Sequence, residues 1–366
     1  MVNKGGISIE EMRKLLNKKA GMTVAHNLKE ENPTEVTEWI PTGSHWLDSI
    51  ICRGQRAGIP VGKITEIAGL EATGKSYMAA KIAANAQKMG ITVAYFDSES
   101  AIDPSFLENA GCDVENLIYV QAQSVEMVLE SIEEFLKTGG KFIFVWDSLA
   151  LTPSINDVEG DFNPMSQMAV KARILAKAMS KLTIPIANTE STFLVLNQLK
   201  TNITRNPNMA LVEPYVTPGG KAMIYAYSLR IWLTGRKSKA AYIQDDNGFR
   251  IGSEVKSTLK KSRFGTQGRQ ATFKILWGDE VRILDEESWL EAIKASEHIT
   301  IKGAWYTLDM GNGESQKFQP GRWMEKMKDE TFRARVLQVM DEHVVQNFKA
   351  RQGNPEDFYD VDGDED

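Results

Sequence analysis

The chain has 366 residues, 42% of them hydrophobic and 25% charged, with a formal net charge of −6 at pH 7. This length predicts two or three domains with a large core, and this composition is typical of a globular protein. The longest apolar runs, such as 142–146, are far too short to cross a bilayer, and the first residues do not resemble a secretory signal. We therefore expect a cytoplasmic protein that does not contact a membrane.

The sequence contains no pattern that predicts a zinc site or a functional cysteine pair. Cys52 and Cys112 lie far apart, and no further cysteine or histidine follows either of them at metal-ligand spacing. We interpret both as reduced thiols in or near a core.

The negative charge is concentrated at the carboxyl terminus. Seven acidic residues and no basic one lie between Gly353 and Asp366, and without those seven the rest of the chain carries a net charge of +1. A block of one sign is typical of a disordered tail. The net charge therefore does not exclude a nucleic-acid partner.

The predicted elements begin with a short amphipathic helix. Apolar residues from Ile9 to Leu16 follow helical spacing, and Ser8 is a residue type that caps helices. A polar passage with Pro33 follows. We predict that residues 1–35 form a helix and linker that serve oligomerisation.

Predicted strands and helices alternate between residues 63 and 196. Alternation with apolar strands indicates an α/β core around a mainly parallel sheet, because such strands are covered by helices on both faces. The strands are predicted at 63–68, 92–96, 117–120, 142–146 and 192–196, and the helices at 74–89, 104–110, 124–136 and 165–182.

The pattern then changes to strands without helices. Strands predicted at 229–233, 240–244, 249–260 and 270–277, with a hairpin signal at 246–248, indicate an antiparallel extension of the sheet. Two further predicted helices, 288–295 and 331–347, indicate a small carboxyl-terminal domain. The predicted domains are a core at 36–284, the small domain at 285–352 and an acidic disordered tail at 353–366.

Residues 69–76 form a complete G-x-x-x-x-G-K-[ST] phosphate-binding loop between a predicted strand and helix. The glycines let backbone N–H groups face a phosphate, and the helix dipole favours negative charge there. Lys75 would contact the β- and γ-phosphates of ATP, and Ser76 would hold Mg²⁺. The predicted ATP contacts are Gly69, Leu70, Glu71, Ala72, Thr73, Gly74, Lys75, Ser76 and Tyr77.

Acidic residues follow two of the buried strands on the same edge as this loop, where parallel sheets bind ligands. Asp147 ends strand 142–146 and is the predicted second Mg²⁺ residue. Glu99 follows strand 92–96 and is the predicted general base, with Asp97 as the alternative.

These motifs, in the order in which they occur along the chain, resemble those of the RecA family of DNA strand-exchange proteins. The matching segments are Ile40–Ser44 with Leu47 and Asp48, the loop at 69–76, the run Asp97–Pro104, and the strand Leu194–Gln198. The resemblance extends from about residue 40 to residue 278 and implies a RecA-type P-loop ATPase core. It also implies that Asp103 and Phe106 contact adenine and that Gln198 senses the γ-phosphate, although Phe106 could instead belong to the core.

The resemblance further implies two loops that bind single-stranded DNA. Residues 156–165 and 199–220 are long and poor in apolar side chains, which is typical of functional or disordered loops. Solvated loops without a role are the alternative. The DNA contacts implied are Met168, Arg173, Lys200, Ile203, Arg205, Gly219, Gly220 and Lys221.

The basic run at residues 260–263 is either a solvated turn or a functional cluster. In the RecA family the matching residues reach the ATP of a neighbouring subunit, which here implies Lys261 and Arg263. Two positions depart from the bacterial pattern, since Ser180 and Ile224 stand where basic residues are common. The exact list of DNA contacts therefore stays open.

The function implied is an ATP-dependent recombinase that forms helical filaments on single-stranded DNA and pairs it with a homologous duplex. The implied partners are both DNA forms, further copies of the chain, and mediator and single-strand-binding proteins. A ring helicase on the same ATPase core and a non-enzymatic annealing protein that only retains nucleotide are the alternatives.

Overall fold

A computed structural model describes residues 7–21, 23–30, 32–51, 54–100, 102–160, 170–203, 213–235, 241–277 and 281–346. The chain divides into two compact units, the first ending at Glu38 and the second beginning at Trp39. The predicted contacts Met168 and Arg205, Cys52 and the acidic tail lie outside the described residues.

The first unit contains helix α1 (Ile9–Ala20). The Ser8 hydroxyl accepts a hydrogen bond from the Glu11 N–H (3.2 Å), and the Glu11 carboxylate accepts one from the Ser8 N–H (2.8 Å). This reciprocal cap confirms the predicted helix start. The apolar side chains of α1 remain exposed within the unit, including Leu15 at 62%.

The second unit is built on one large sheet. Before it come β1 (Trp39–Ile40), α2 (His45–Ile51) and β2 (Ile59–Pro60). The sheet and its connections comprise β3 (Ile64–Gly69), α3 (Lys75–Lys88), β4 (Thr92–Asp97), α4 (Pro104–Ala110), β5 (Leu117–Gln121), α5 (Val125–Lys137), β6 (Phe142–Asp147), α6 (Ile155–Glu159), α7 (Val170–Asn188) and β7 (Thr192–Gln198), then β8 (Lys200–Thr201), β9 (Tyr215–Val216), α8 (Gly220–Ala226), β10 (Leu229–Gly235), β11 (Tyr242–Gln244), β12 (Arg250–Ser262), β13 (Gln270–Trp277) and β14 (Val281–Leu284).

Ten strands of the described residues form this sheet in the order β14-β13-β12-β10-β3-β7-β6-β4-β5, with β11 paired to β12. The six strands from β10 to β5 are parallel, and β11 to β14 extend the sheet antiparallel. The predicted fold class, a mainly parallel α/β sheet with an antiparallel extension, is confirmed.

Alternate residues of the parallel strands enter two different hydrophobic clusters. In β6, Phe142, Phe144 and Trp146 pack with α5 and α7, whereas Ile143 and Val145 pack with α3. Successive side chains of a strand point to opposite faces, so a strand covered by helices on both sides is apolar throughout. This explains the continuous apolar runs in the sequence.

The end of one predicted helix was wrong. The helix predicted at 165–182 continues to Asn188 and contains Pro185. Buried Leu182 and Ile186 lie on the face that packs against the sheet, so burial outweighs the hydrogen bond that proline cannot donate. Residues 165–169 lie outside the described part.

The carboxyl-terminal elements contain a small sheet that the sequence patterns did not reveal. They comprise α9 (Trp289–Ile293), β15 (Ile299–Lys302), β16 (Trp305–Asp309), β17 (Ser315–Phe318), α10 (Trp323–Lys326) and α11 (Glu330–His343), with β15 to β17 forming a three-stranded antiparallel sheet. Its strands have four or five residues and exposed polar side chains, so their alternation is weak.

These elements share the hydrophobic cluster of α2 and α3. The Asp285 carboxylate accepts hydrogen bonds from the His45 N–H (2.6 Å) and the Trp289 indole (2.7 Å), which ties the start of α2 to α9. Among the described residues no helix is long and apolar enough to span a bilayer.

Candidate nucleotide site and DNA-facing loops

The phosphate loop lies at the carboxyl end of β3 and leads directly into α3. Gly74 has a φ of 77°, and a Cβ atom there would come within 2.5 Å of the Ile275 side chain. The positive φ favours glycine at this position, and any Cβ atom would in addition displace the end of the Ile275 side chain. The Lys75 ammonium donates to the Leu70 carbonyl (2.9 Å). Burial lowers the pKa of Lys75, while the charges of Asp147 and Glu99 oppose that shift.

Asp147 lies next to the first turn of α3. Its carboxylate accepts hydrogen bonds from the Ser76 hydroxyl and from the Tyr95 hydroxyl, the latter at 3.1 Å. Burial raises the pKa of Asp147 to about 6. A hydroxyl and a carboxylate oxygen side by side are the hard ligands that Mg²⁺ prefers together with water and phosphate. The pair predicted for Mg²⁺ is therefore brought together by the fold.

The two candidate bases have different surroundings. Asp97 accepts hydrogen bonds from the N–H groups of Glu99 (2.8 Å), Ser100 (3.0 Å) and Ile102 (3.3 Å) and from the Tyr119 hydroxyl (2.9 Å). The Glu99 carboxylate accepts from the Ser148 hydroxyl (3.1 Å). Asp97 thus shapes the turn that carries Glu99, which favours Glu99 as the group that contacts water.

A cleft of about 440 Å³ opens beside the phosphate loop. Tyr77 and Phe106 line it on one side, with ring centroids 6.5 Å apart and the rings edge to face. Ile275 and Trp277 of β13 line it as well. An aromatic-lined cleft next to a phosphate site suits a planar base. Asp103 caps α4 by accepting from the Ser105 N–H (2.8 Å), and its side chain is exposed.

Sequence reasoning missed Trp277 as part of this cleft. The position lies two hundred residues after the phosphate loop in the chain and comes close only through the antiparallel extension of the sheet. An aromatic residue at the end of a predicted strand was the available signal.

Gln198 lies beside the phosphate loop at the end of β7. It pairs with Gly69 across the parallel β3–β7 ladder, and the Leu199 N–H donates to the Gly69 carbonyl (3.0 Å). Gln198 is thus the last residue of the strand next to the one that supplies the phosphate loop. This position fits the predicted sensor.

Lys261 and Arg263 lie away from the carboxyl edge of the sheet, and Lys261 is level with Glu66 in the middle of β3. The Arg263 N–H donates to the Ser228 carbonyl, and the Ser228 N–H donates to the Ile64 carbonyl, so Arg263 is level with the start of β3. Gly69 lies five residues further along β3, about 16 Å at the rise of a strand. In this chain, Lys261 donates to the carbonyls of Ile224 (2.8 Å) and Tyr225 (3.1 Å), and Arg263 donates to that of Tyr225 (3.0 Å).

Those carbonyls belong to the last turn of α8, where cations are favoured by the helix dipole. The Tyr225 side chain beside them is 69% exposed. The structure therefore does not bring Lys261 and Arg263 to the phosphate loop of their own chain.

The loops predicted to bind DNA leave the carboxyl ends of β6 and β7. Arg173, Lys200, Gly220 and Lys221 are exposed, Gly219 is half-buried, and Ile203 is 96% exposed. Lys200 and Thr201 pair with Val216 and Tyr215, so the second loop leaves the body as a two-stranded ribbon. Lys171, two residues before Arg173 in α7, binds within the protein, since its ammonium donates to the carbonyls of Leu149 (2.7 Å) and Thr152 (2.6 Å).

Comparisons with known proteins agree with this arrangement. The family model for the RecA N-terminal domain matches residues 7–282. Protein RecA of Saccharopolyspora erythraea is 30% identical over 86% of this chain and 87% of its own length. Protein RecA of Colwellia psychrerythraea is 32% identical over 78% of this chain and 77% of its own. The chain therefore belongs to the RecA family of recombinases, which are DNA-dependent ATPases.

Proposed function

We propose that this recombinase binds ATP with Mg²⁺ at the carboxyl edge of the sheet and polymerises head to tail on single-stranded DNA. It then pairs this strand with a homologous duplex and exchanges strands. The observation that carries the proposal is the separation of Lys261 and Arg263 from the phosphate loop of their own chain. Two cations with the expected chemistry are present away from this loop, and this supports a role for them at the phosphate loop of a neighbouring protomer.

Within one protomer, most of the nucleotide site comes from a single chain. The loop from Gly69 to Ser76 holds the phosphates, and the cleft of Phe106, Tyr77 and Trp277 takes adenine, with Asp103 accepting from its amino group. Ser76 and Asp147 would hold Mg²⁺, which neutralises phosphate charge when bound. Glu99 accepts a hydrogen bond from the attacking water and orients it. Gln198 bonds the γ-phosphate through its side-chain amide.

The remaining charge is supplied in trans. Lys261 and Arg263 of one protomer would contact the γ-phosphate held by the next, where cations stabilise the transferring phosphoryl group. Such an interface joins two different surfaces of the same chain, and this heterologous geometry generates a helical filament or a ring. Hydrolysis would consequently depend on assembly. The exposed apolar face of α1 is the proposed element that joins neighbours.

Single-stranded DNA would lie along the loops that follow β6 and β7. Arg173, Lys200, Arg205 and Lys221 would contact phosphates, together with backbone N–H groups of Gly219 and Gly220, whereas Met168 and Ile203 would insert between bases. Such contacts do not distinguish one base sequence from another, so base pairing between the two DNA strands alone would recognise homology. Binding should therefore weaken steeply with salt.

We further propose that the protein is of the UvsX type, a phage recombinase that acts in the cytoplasm of its host. In this role it would serve repair and recombination-dependent replication, together with mediator and single-strand-binding proteins. The predicted domains, with boundaries near residues 35, 284 and 352, are part of this proposal. The acidic tail after Gly353 would compete with DNA for basic surfaces.

Electron microscopy of the protein with single-stranded DNA and a slowly hydrolysed ATP analogue tests the proposal. We expect helical filaments, together with strand exchange between a circular single strand and a homologous linear duplex. Closed rings that unwind duplexes would instead identify a helicase. Strand exchange that survives Lys75→Ala would identify an annealing protein without need of ATP.

A further inference from the structure

A buried ionic network lies beneath the root of the second DNA loop. Glu66 on β3 is fully buried, and its carboxylate accepts a hydrogen bond from Arg230 Nε at 2.6 Å. The two residues are direct neighbours in the parallel β3–β10 ladder. The other oxygen of Glu66 accepts from the Asn197 side-chain amide at 3.0 Å. Three adjacent strands are thus joined by side chains in the middle of the sheet.

The same side chains hold the returning leg of the loop. Arg230 donates to the Thr217 hydroxyl (2.9 Å), and the Asn197 amide donates to the Pro218 carbonyl (2.9 Å). Thr217 and Pro218 follow the ribbon β8–β9 and precede the Gly219-Gly220 turn into α8. The network therefore fixes where the loop returns to the body.

The outgoing leg of the loop begins at the sensor. Gln198 follows Asn197 in the chain, and the Gln198 N–H donates to the Asn197 side-chain oxygen at 3.0 Å. The loop then continues through Leu199, which packs with Ala68, Trp232 and Tyr215 beside the network. One residue, Asn197, thus touches the backbone of the sensor and the backbone of the returning leg.

Stability alone does not account for this arrangement. Removing a carboxylate and a guanidinium from water is costly, and a buried ion pair is commonly no more stabilising than an apolar pair of the same size. A buried network of fully hydrogen-bonded charged and polar groups also holds the segments that it joins in one fixed arrangement. Here the fixed groups are the two ends of one loop and the residue proposed to sense the γ-phosphate.

We infer that Glu66, Arg230, Asn197 and Thr217 form a coupling network that transmits the state of Gln198 to the second DNA loop. These are positioning residues, and the inference rests on the proposed function of Gln198 and of the loop. When Gln198 engages a γ-phosphate, the Asn197 contact would carry the change to Pro218, so that both legs of the loop move together. Without the network, nucleotide and DNA would each still bind, but neither would affect the other.

The test measures coupling rather than binding. The affinity for a fluorescent oligothymidine is determined by anisotropy with and without a slowly hydrolysed ATP analogue, and the ratio of the two affinities is the coupling factor. Such factors are typically about 5- to 150-fold. Thr217→Val removes the acceptor of Arg230 with little change of shape, and Thr217→Ser retains it. Asn197→Leu removes all three hydrogen bonds of the side-chain amide, to Glu66, Pro218 and the Gln198 N–H.

We expect the coupling factor to fall at least about threefold in Thr217→Val and about tenfold in Asn197→Leu, as for lost hydrogen bonds to charged or buried groups. Thr217→Ser should keep the factor of the natural protein. Nucleotide affinity without DNA should remain within about twofold in all three, because none of these residues touches the phosphate loop in the described contacts.

Arg335→Gln is the matched control, since Arg335 is a buried arginine near the carboxyl terminus that donates to the Asp309 carbonyl (2.9 Å). It should lower thermal stability and leave the coupling factor unchanged. An unchanged factor in Thr217→Val and Asn197→Leu would overturn the inference, as would a loss of coupling that only follows a loss of nucleotide affinity. If the natural protein itself shows no coupling, the proposed function fails instead.

Discussion

The carboxyl edge of the central sheet carries most groups of the proposed nucleotide site, whereas two further cations of the proposal lie away from this edge. At the carboxyl edge, the phosphate loop, Asp147, Glu99 and Gln198 come from neighbouring parallel strands of one chain. Away from that edge, Lys261 and Arg263 donate to carbonyls of α8. Measured along a strand, Lys261 is level with Glu66, roughly 10 Å from the level of Gly69, and Arg263 is level with Ile64, roughly 16 Å from it. The carboxyl edge thus carries most of the proposed nucleotide site of this chain. Lys261 and Arg263 are instead proposed to contact ATP that is bound by another protomer.

This difference shows how assembly can control chemistry. A phosphate site made by one chain binds nucleotide at any protein concentration, whereas a site completed in trans reacts only in an oligomer. Within one chain, the carbonyls of Ile224 and Tyr225 are the hydrogen-bond partners of the two cations.

The strongest test of the comparison removes both cations. Lys261→Ala with Arg263→Ala should lower DNA-dependent ATP turnover about a thousandfold, as for other cations supplied in trans, without loss of nucleotide binding. Lys75→Ala should also be inactive, because it retains the two cations but lacks the lysine of the phosphate loop. Turnover in mixtures of the two variants is measured with a phosphate-release assay.

Mixing should restore activity, because some interfaces then combine an intact phosphate loop with intact cations. With random neighbours, roughly a quarter of the interfaces are complete. Lys274→Ala, a lysine of the same sheet that pairs with Glu287, is the control and should leave turnover unchanged. If mixtures stay inactive while filaments form, the cations do not act in trans.

The second test separates the two acids of the carboxyl edge. Glu99→Gln should lower single-turnover hydrolysis about a hundredfold or more and leave ATP affinity intact, because only proton transfer and water orientation are lost. Asp97→Asn should instead lower the free energy of unfolding by about 1–3 kcal/mol, since Asp97 accepts hydrogen bonds from three N–H groups and a hydroxyl. Equal hydrolysis in Glu99→Gln and the natural protein would remove Glu99 from its role.

The third test concerns the aromatic cleft beside the phosphate loop, which is the proposed adenine site. Trp277→Ala should weaken ATP binding about tenfold through loss of aromatic contact, while hydrolysis at saturating ATP changes less than about twofold. Trp277→Phe should recover most of the affinity. Equilibrium dialysis with labelled ATP measures both. An unchanged affinity in Trp277→Ala would mean that the base lies elsewhere.

The smallest expected effect concerns the acidic tail. Removing the residues after Gly353 should tighten binding of single-stranded DNA a few-fold at low salt, and the gain should disappear above about 0.3 M salt, where charges are screened. Anisotropy titrations at several salt concentrations measure this. Equal affinities at low salt would show that the tail does not compete for the loops at the carboxyl edge.

Much of the carboxyl edge could be read from the sequence. The phosphate loop, Asp147 and Glu99 each follow a recognisable apolar strand, and parallel strands place their carboxyl ends together. Length and polarity identified two loops of interest, whereas their role in DNA binding was implied only by the family resemblance and stays a prediction. Met168 and Arg205 of this set lie outside the described residues.

Local pattern determined most strands of the large sheet, most helix starts and the phosphate loop, because periodicity and the glycine-rich loop are properties of short segments. Only the tertiary structure decided which side chains meet across long separations. The order of strands places Trp277 in the aromatic cleft beside the phosphate loop, joins Glu66 to Arg230, and holds Lys261 and Arg263 away from the phosphate loop. Such contacts depend on how distant segments pack, and no short window of sequence contains that information.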